Sequence, residues 1–454
     1  MRFPWRVRPF PAALFVALLL LPLECAVRRT ALDEYVAKPD PSFRYDLVRT
    51  IPDQEYTAYV LDMDSQRWRT LQEVDRTQWS HWIVIVRPNQ VRHSTALLLI
   101  TGGNNASPVP GRVDPAAAEI AVKTGSVVAS VHMIPNQPLR FSGERRVRSE
   151  DALIAYTWDR YMETRDDTWP AQLPMAKSAV RAMDAVAGFL ASPEGGRTKV
   201  DRFVLAGASK RGWTAWLTAA VDRRVTAIIP LVIDILNIEP SFLHHHRVYG
   251  FWAPAIRDYV EMGVMDRIST PELQSLLRIV DPYFYRDRFT MPKYIINATG
   301  DQFFVPDSWQ FYFDDLPGEK YLRYVPNADH SLRSSDALES AAAYYAAILE
   351  NRPRPRFQWR IDDYGTILVK PIDRPGEVKL WQATNPDARD FRLQTIGPAF
   401  RSTTLHPAAD GSYAAQVPAP PRGHTAYFIE LTYPSGTQYP FKFTTGVRVV
   451  SAGS

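Results

Sequence analysis

The sequence predicts an α/β fold in which a doubly wound, mostly parallel sheet is followed by an all-β, immunoglobulin-like sandwich. The first observation is that short apolar runs alternate with helical stretches between residues 55 and 350, as strands buried on both faces and covered by helices require. The second is a long aromatic-rich insertion at residues 237–290, which is typical of a cap over a site. The third is that residues 357–454 contain short strand-like stretches without a helical pattern.

Each predicted element follows from its local pattern. Buried strands are predicted where apolar residues run without polar alternation, at 96–100, 126–131, 202–206, 226–232 and 293–297. Strands are also predicted at 56–63 and 82–86, from their composition and length, and at 321–325. Helices are predicted where apolar residues recur at helical spacing, at 175–190, 213–220 and 334–349. The Pro- and Arg-rich stretch at 351–356 predicts a stiff linker. Beyond it, alternating strands separated by turn signals are predicted at 366–370, 378–383, 412–417, 426–433 and 440–445.

Composition excludes several classes of protein. The chain has 454 residues, one cysteine and a net charge of +4, and its length corresponds to two or three domains of about 150 residues. A hydrophobic fraction of 46% and a charged fraction of 22% exclude a disordered chain and a polytopic membrane protein. The small net charge argues against a nucleic-acid partner. A single cysteine cannot form a disulfide framework, a zinc ribbon or an iron–sulfur cluster.

Residues 1–26 have the pattern of a secretory signal peptide. Three arginines precede an apolar run from Ala12 to Leu23, which is short for a membrane span. A periplasmic or secreted protein is therefore predicted, with residues 27–54 as a lead-in to the first domain. Lipidation of Cys25 and an uncleaved signal stay open as alternatives, and only these would bring the protein into contact with a membrane.

Ser209 follows a predicted buried strand and directly precedes a predicted helix. The stretch Ala206–Gly212 reads Ala-Gly-Ala-Ser-Lys-Arg-Gly, and small residues suit the sharp strand-to-helix turn that exposes a nucleophilic hydroxyl. In the usual G-x-S-x-G pattern a glycine lies two residues after the serine, whereas here Arg211 stands there and Gly212 follows. The strand–turn–helix context predicts Ser209 as a nucleophile.

An acid and a base follow later predicted strands in the order that such a nucleophile requires. Asp301 comes after the seventh predicted strand and His330 after the eighth, and serine, acid, histidine is the order of α/β-hydrolases. The sequence therefore predicts a catalytic triad of Ser209, Asp301 and His330. The alternative is that Asp301 and His330 only cap the helices that follow. Asp307 and Asp329 are competing acids, of which Asp307 is expected to begin a helix and Asp329 to point elsewhere on its turn.

Stabilisation of a tetrahedral oxyanion needs two N–H donors. The backbone N–H of Lys210 is one candidate, and Gly103 or Asn104, in the loop after the third predicted strand, would supply the other. Lys210, Arg211 and Trp213 are also candidates for substrate binding, since a cation beside the nucleophile could hold a carboxylate. An ion pair that orders the cap is the alternative for both cations, and pocket wall or core is the alternative for Trp213.

The triplet His244-His245-His246 is a candidate metal site, because histidine is a common metal ligand. Adjacent side chains diverge on a helix and alternate on a strand, so three in a row rarely share one ion. Surface or cap-packing histidines are therefore predicted, with no metal and no cofactor.

At these residues the chain resembles the PhoPQ-activated pathogenicity-related protein family, also called autocrine proliferation repressor-like. The matching stretches are 32–36, 174–184, 207–213, 232–237, 281–283, 291–293 and 299–308. The resemblance covers nearly the whole chain after the signal segment, and it implies an α/β-hydrolase fold and export, but no particular substrate. The turn is also similar to that of glucuronoyl esterases, G-x-S-R-x-G, with Lys210 in place of the arginine.

These observations together predict an exported serine hydrolase, and a carboxylic-ester hydrolase in particular, acting on a small-molecule or glycan ester through an acyl-enzyme. A peptidase of the same fold is one alternative. An exported binding or signalling protein on a non-catalytic hydrolase scaffold is the other, and the sequence leaves the oligomeric state open.

Overall fold

The computed structural model describes residues 29–453. Its strands are β1 (Arg44–Pro52), β2 (Tyr56–Arg67), β3 (Gln78–Pro88), β4 (Thr95–Ile100), β5 (Val128–Val131), β6 (Leu139–Arg140), β7 (Val147–Arg148), β8 (Arg202–Ala208), β9 (Val225–Leu231), β10 (Lys293–Ala298), β11 (Lys320–Val325), β12 (Phe357–Ile361), β13 (Ile367–Pro371), β14 (Glu377–Asn385), β15 (Arg401–Thr404), β16 (Tyr413–Ala415), β17 (His424–Tyr433), β18 (Phe441–Thr444) and β19 (Arg448–Ser451). Its α-helices are α1 (Ala31–Ala37), α2 (Pro115–Thr124), α3 (Glu150–Thr164), α4 (Gln172–Ala191), α5 (Lys210–Val221), α6 (Ile238–Tyr249), α7 (Arg257–Glu261), α8 (Pro271–Val280), α9 (Ala337–Leu349) and α10 (Leu393–Ile396).

The core of the molecule is a sheet with the order β1-β2-β3-β5-β4-β8-β9-β10-β11. The first three strands pair antiparallel, β3 also pairs antiparallel with β5, and the strands from β5 to β11 are parallel. The order reverses between β4 and β5, which is how a doubly wound sheet carries helices on both faces. The predicted α/β-hydrolase fold is confirmed, and the carboxyl ends of β8, β10 and β11 meet at one edge.

Two hydrophobic clusters explain why the strands read as unbroken apolar runs. Leu98 and Leu205 belong to the cluster that contains the residues of α4 and α5, whereas Leu97 and Val204 belong to the cluster that contains those of α2 and α9. Successive side chains of a strand point to opposite faces, so both faces of β4 and β8 need apolar residues. The sheet is therefore buried on both sides.

The segment between β9 and β10 contains α6, α7 and α8 and corresponds to the predicted cap. The hydroxyl of Thr270 caps α8 by accepting a hydrogen bond from the N–H of Leu273. Pro271 suits the first helical position because an N–H there would have no partner within the helix. The helix buries one apolar side, including Leu276 and Leu277. The cap is thus a set of short helices held by their own apolar faces.

The C-terminal strands form two sheets. The strands β12, β13 and β16 form a separate three-stranded sheet, whereas β18, β17, β14 and β15, with β19 beside β17, continue the central sheet. The connection is an antiparallel contact between β11 and β18 at Leu322 and Thr444, supported by a bond of 3.0 Å from the N–H of Tyr324 to the hydroxyl of Thr444. The region is rich in strands, as predicted, but the larger of its two sheets is an extension of the hydrolase sheet.

The predicted signal peptide and Cys25 lie outside the described residues. Between residues 29 and 453, no helix combines the length and the apolar character that crossing a membrane requires.

Candidate active site

Ser209 lies on a sharp turn between β8 and α5. Its backbone has φ 58° and ψ −130°, a conformation that costs a non-glycine residue free energy and is typical of functional turns. A Cβ on Gly207 would lie 2.6 Å from the carbonyl oxygen of Arg211, and a Cβ on Gly212 would lie 2.8 Å from that of Gly207. Both glycines are therefore needed for the close approach of strand and helix, even though the second is displaced by one position. The N–H of Ser209 donates to the carbonyl of Leu231 at 2.8 Å and ties the turn to β9.

Asp301 and His330 form a hydrogen-bonded pair at the ends of β10 and β11. The carboxylate oxygen Oδ2 of Asp301 lies 2.8 Å from Nδ1 of His330, and its other oxygen accepts from the N–H of Phe303 at 2.7 Å. Asp301 is buried, and the backbone N–H of His330 donates to Gln302 at 3.0 Å. The bond to a carboxylate assigns the proton to Nδ1, which leaves Nε2 able to accept.

Ser209 and His330 line the same cavity, which has a volume of about 680 Å³. Within residues 29–453 the side chain of Ser209 makes no hydrogen bond, so no direct bond joins it to His330, although both residues line this cavity. The ring of His330 packs against Phe303, with ring centroids 4.4 Å apart. The arrangement leaves the hydroxyl free to meet a ligand, as is common in unliganded sites.

Lys210 and Arg211 are both engaged by acidic residues at the start of α3. Nζ of Lys210 lies 2.9 Å from Glu150 and 3.1 Å from Asp151. Arg211 donates to both oxygens of Glu150 at 2.8 and 2.6 Å and to the carbonyl of Ile134 at 2.6 Å. Both cations therefore form ion pairs, the predicted alternative to substrate binding, but they pair with α3 and not with the cap.

The ion pairs keep Glu150 charged. Burial opposes its ionisation, but the hydrogen bond from Arg211 and the charge of Lys210 outweigh burial and lower the pKa of Glu150 from 4.5 to about 2. Glu150 also has a positive φ of 52°, and its N–H donates to the side chain of Gln137 at 2.7 Å. Neither Glu150 nor Asp151 was predicted from the sequence, where the available signal was an acidic pair at the start of a helix.

The oxyanion candidates differ in their availability. Lys210 is the first residue of α5, so its N–H is among the donors that a helix leaves without an internal partner. The N–H of Asn104 already donates to the hydroxyl of Ser107 at 3.1 Å, and the carbonyl of Gly103 accepts from Gln137 at 3.0 Å. Gly102, which was not among the predicted donors, lines the same cavity as Ser209. The loop of residues 101–104, which we call the glycine loop, thus lies at the site, and Thr101 and Gly102 line the cavity.

The cap side of Ser209 is almost filled. Trp213 is buried there and donates to the carbonyl of Val280 in the cap at 2.6 Å. It lines a cavity of only about 30 Å³ together with Ser209, Tyr259 and Phe304, which is about the volume of one water molecule. Trp213 therefore forms part of the wall between the nucleophile and the cap.

The competing acids have other partners. Asp307 is buried and accepts from Nε2 of His244 at 2.9 Å, and it forms an ion pair with Arg389. Burial opposes the ionisation of Asp307, but these two partners outweigh it and lower its pKa. Asp307 lies directly before the helical turn Ser308–Phe311, as expected, but its carboxylate makes no capping hydrogen bond there. Asp329 accepts from the N–H of Ser331 at 2.9 Å within its own turn.

The histidine triplet packs within and beside the cap. His244 and His245 are buried, and His246 is exposed beside Trp252. Nε2 of His245 accepts from the N–H of Ala253 at 3.1 Å. Across the part of the chain that the structure describes, no group of three His, Cys, Asp or Glu residues is arranged to hold a metal ion.

A C-terminal loop, residues 389–400, holds the loops that carry Asp301 and His330. The N–H of Leu393 donates to the carbonyl of Gly300 at 3.0 Å. The amide of Asn327 donates to the carbonyl of Phe400 at 3.0 Å and accepts from its N–H at 2.9 Å. We call residues 389–400 the brace loop, because it contacts both loops at once.

Comparison with known proteins identifies relatives over most of the chain. The model of a family described as PhoPQ-activated pathogenicity-related protein matches residues 32–392. Autocrine proliferation repressor protein A of Dictyostelium discoideum is 38% identical over 465 residues, covering 95% of this chain and 93% of that protein.

Solved structures with similar folds include two acetyl xylan esterases. The enzyme from Paenibacillus sp. R4 is 15% identical with a TM-score of 0.49, covering 70% of this chain and 92% of that chain. Acetyl xylan esterase 1 from Thermoanaerobacterium sp. JW/SL YS485 is 14% identical with a TM-score of 0.48, covering 70% of this chain and 90% of that chain.

Proposed function

The chain belongs to the PhoPQ-activated pathogenicity-related protein family, and from this membership and the geometry of the site we propose that it is an exported serine hydrolase that cleaves carboxylic esters. Ser209 is the nucleophile, His330 the general base and acid, and Asp301 the residue that orients the imidazole. The observation that carries the proposal is the 2.8 Å bond between Asp301 and Nδ1 of His330, at a cavity that Ser209 on its strained turn also lines.

The reaction proceeds through an acyl-enzyme. The Ser209 oxygen attacks the ester carbonyl while Nε2 of His330 takes the hydroxyl proton, and the Asp301 carboxylate stabilises the resulting imidazolium. The N–H of Lys210 and an N–H of the glycine loop, Gly102 or Gly103, bind the oxyanion. The C–O bond to the alcohol breaks as His330 returns the proton to the leaving oxygen. Water, activated by the same histidine, then releases the acid and restores Ser209.

Labelling by a fluorophosphonate probe tests the nucleophile. We expect the full-length protein to be labelled and Ser209→Ala to be unlabelled. Ser331→Ala is the matched control, because Ser331 lines the same cavity but its hydroxyl donates to Asp329 at 2.6 Å and not to a histidine; this variant should be labelled like the wild type. An unlabelled wild type, or equal labelling of Ser209→Ala, would refute the proposal.

The acid is tested separately. Asp301→Asn should lower the labelling rate by about 10³–10⁴-fold, because the imidazole loses its orienting carboxylate and its correct tautomer. An unchanged labelling rate would show that Asp301 does not orient His330.

Comparing the turnover of acyl esters with that of peptide amides distinguishes an esterase from a peptidase, and we expect faster cleavage of the esters.

Export is tested by fractionating the cells that make the protein. We expect the protein in the periplasm or the medium, without residues 1–26.

The name of the Dictyostelium relative supports a second candidate, a signalling protein that represses proliferation without catalysis. The absence of a bond between Ser209 and His330 in the described structure is compatible with this function. If the protein acts by signalling alone, folded Ser209→Ala protein should keep the effect of the wild type on the growth of the secreting cells. Loss of that effect in Ser209→Ala would favour the hydrolase.

A further inference from the structure

The cavity beside Ser209 extends away from the cap as a channel between the sheet and the helices α2 and α9. Its floor includes Leu97 and Leu99 of β4, Thr101 directly after that strand, and Ala206 and Ala208 of β8. Alternate residues of a strand share one face, so the channel follows one face of the sheet from the nucleophile towards the opposite edge. We call it the α2–α9 channel.

The exposure of the strand residues shows that the channel is open. Leu98 and Ile100 are 0% and 2% exposed, whereas Leu99 between them is only half-buried and Ala208 is exposed. Leu99 lies on a strand with a neighbour on each side, where a covering helix would normally bury it. The helices α2 and α9 therefore leave the sheet uncovered at Leu99 and Ala208, whereas Leu97 is 3% exposed beneath them.

The channel is long and has a second opening. Thr101 and Leu97 are four residues apart, which at a strand rise of about 3.3 Å per residue gives a floor of about 13 Å. Beyond the floor, Ile120 of α2 and Ala342 of α9 line both this channel and a neighbouring cavity of about 430 Å³. Leu338, which also lines both cavities, is 66% exposed. The two cavities therefore adjoin at these residues, between the two helices.

Polarity and space both favour an apolar group in this channel. Polar and charged side chains such as Asp114, His132 and Arg211 belong to its lining, whereas Leu97, Ile120 and Ala342 give it an apolar part. The cap side of Ser209 offers only about 30 Å³, which cannot accept more than a small group. A volume of about 680 Å³ is in the range of small-molecule sites.

We infer that the substrates are esters of medium- to long-chain fatty acids, with the acyl chain in the α2–α9 channel and the carbonyl carbon at Ser209. The inference rests on the proposed hydrolase function and names its substrate class. With C–C bonds of about 1.5 Å, a floor of this length matches an extended chain of about ten carbons. The ester is cleaved at the bond between the acyl carbon and the alcohol oxygen, and water supplies the hydroxyl of the released fatty acid.

The first test is the dependence of kcat/KM on chain length, measured with p-nitrophenyl acetate, butyrate, octanoate and decanoate. Each buried methylene can contribute up to about fourfold, so octanoate should exceed acetate by at least about 10²-fold. Acetate turnover with no gain, or a decline, for the longer esters would overturn the inference while leaving the hydrolase function intact.

Variants in the channel provide the second test. Ala342→Phe should reduce kcat/KM for decanoate by at least about tenfold and leave acetate within about twofold, because it fills only the far part of the channel. Ala118→Phe is the matched control: Ala118 is on α2 but outside the residues that line either cavity, and it should change neither substrate. Ile120→Ala widens the channel and should shift the optimum to a longer chain. An equal effect of Ala342→Phe and Ala118→Phe on decanoate would overturn the inference.

Binding of free decanoate to Ser209→Ala, measured by calorimetry, tests the channel independently of catalysis. Binding that Ala342→Phe abolishes supports the channel even if no ester is hydrolysed, in which case only the proposed function fails. Absence of decanoate binding together with a flat chain-length profile overturns the channel alone.

Discussion

Replacement of Glu150 by Gln tests the electrostatic support of the nucleophile turn. The substitution keeps the size of the side chain but removes the charge that Lys210 and Arg211 share. Their side chains are only 7% and 12% exposed, so solvent can compensate little for the loss. Asp151 would then be the remaining carboxylate partner of Lys210. We expect a less stable protein with a lower rate of Ser209 labelling, because the two residues that follow the nucleophile lose their anchor.

The magnitude follows from the pKa of Glu150. A fall from 4.5 to about 2 corresponds to at most about 3 kcal/mol, and the side chain is 42% exposed, so solvent screening reduces this to about 1–2 kcal/mol. Because the pKa is lower in the folded than in the unfolded state, this stability is complete above pH 4.5 and is lost as the pH falls towards 2.

The appropriate measurement is the free energy of unfolding in urea of wild type and Glu150→Gln at several pH values. Groups that titrate alike in both proteins cancel in the difference between the two free energies. The difference should be constant at neutral pH and shrink below about pH 4.5. Glu163→Gln, at the exposed end of the same helix, is the control and should change stability by less than about 0.5 kcal/mol. A Glu150→Gln difference that is equally small at neutral pH, or that does not shrink in acid, would refute the reasoning.

Three further substitutions probe the surroundings of the site. Asn327→Ala removes both bonds to Phe400 and should cost about 1–3 kcal/mol in urea unfolding, with kcat for esters falling more than KM rises; an unchanged kcat would contradict this. Asp307→Asn should cost about 2–4 kcal/mol yet retain fluorophosphonate labelling, unlike Asp301→Asn, and loss of labelling would make Asp307 the functional acid. Burial raises the pKa of Asp234 from 3.8 to about 7, so its contribution to stability is present below pH 3.8 and lost as the pH rises through 7. Asp234→Asn should therefore narrow the difference in Tm between pH 5 and pH 8, and an unchanged difference would contradict it.

The sequence was sufficient to predict the central sheet because its strands are buried on both faces. Such strands have no polar alternation, and their order along the chain brings Ser209, Asp301 and His330 to one edge of a parallel sheet. The pairing of Asp301 with His330 was therefore predictable from topology alone. The distance between His330 and Ser209 was not, because it depends on side-chain rotamers and on the brace loop.

Contacts between segments that are distant in the sequence could not be predicted in this way. Glu150 lies about sixty residues before Arg211, and nothing in the spacing of charges indicates which carboxylate reaches which cation. The continuation of the sheet from β11 into β18 was missed for a related reason. Alternation along a strand specifies which face is buried, but not which strand lies beside it.

The contact between β11 and β18 affects how the protein must be made. Tyr324 and Thr444 are 120 positions apart, so the edge of β11 remains open until nearly the whole chain has been synthesised. An open edge of a buried sheet is a template for pairing with other chains, and a fragment that ends at the 351–356 linker would keep that edge permanently. For a protein whose sheet is completed by its last strands, incomplete synthesis or proteolysis of the C-terminus yields an aggregation-prone fragment and not a smaller enzyme.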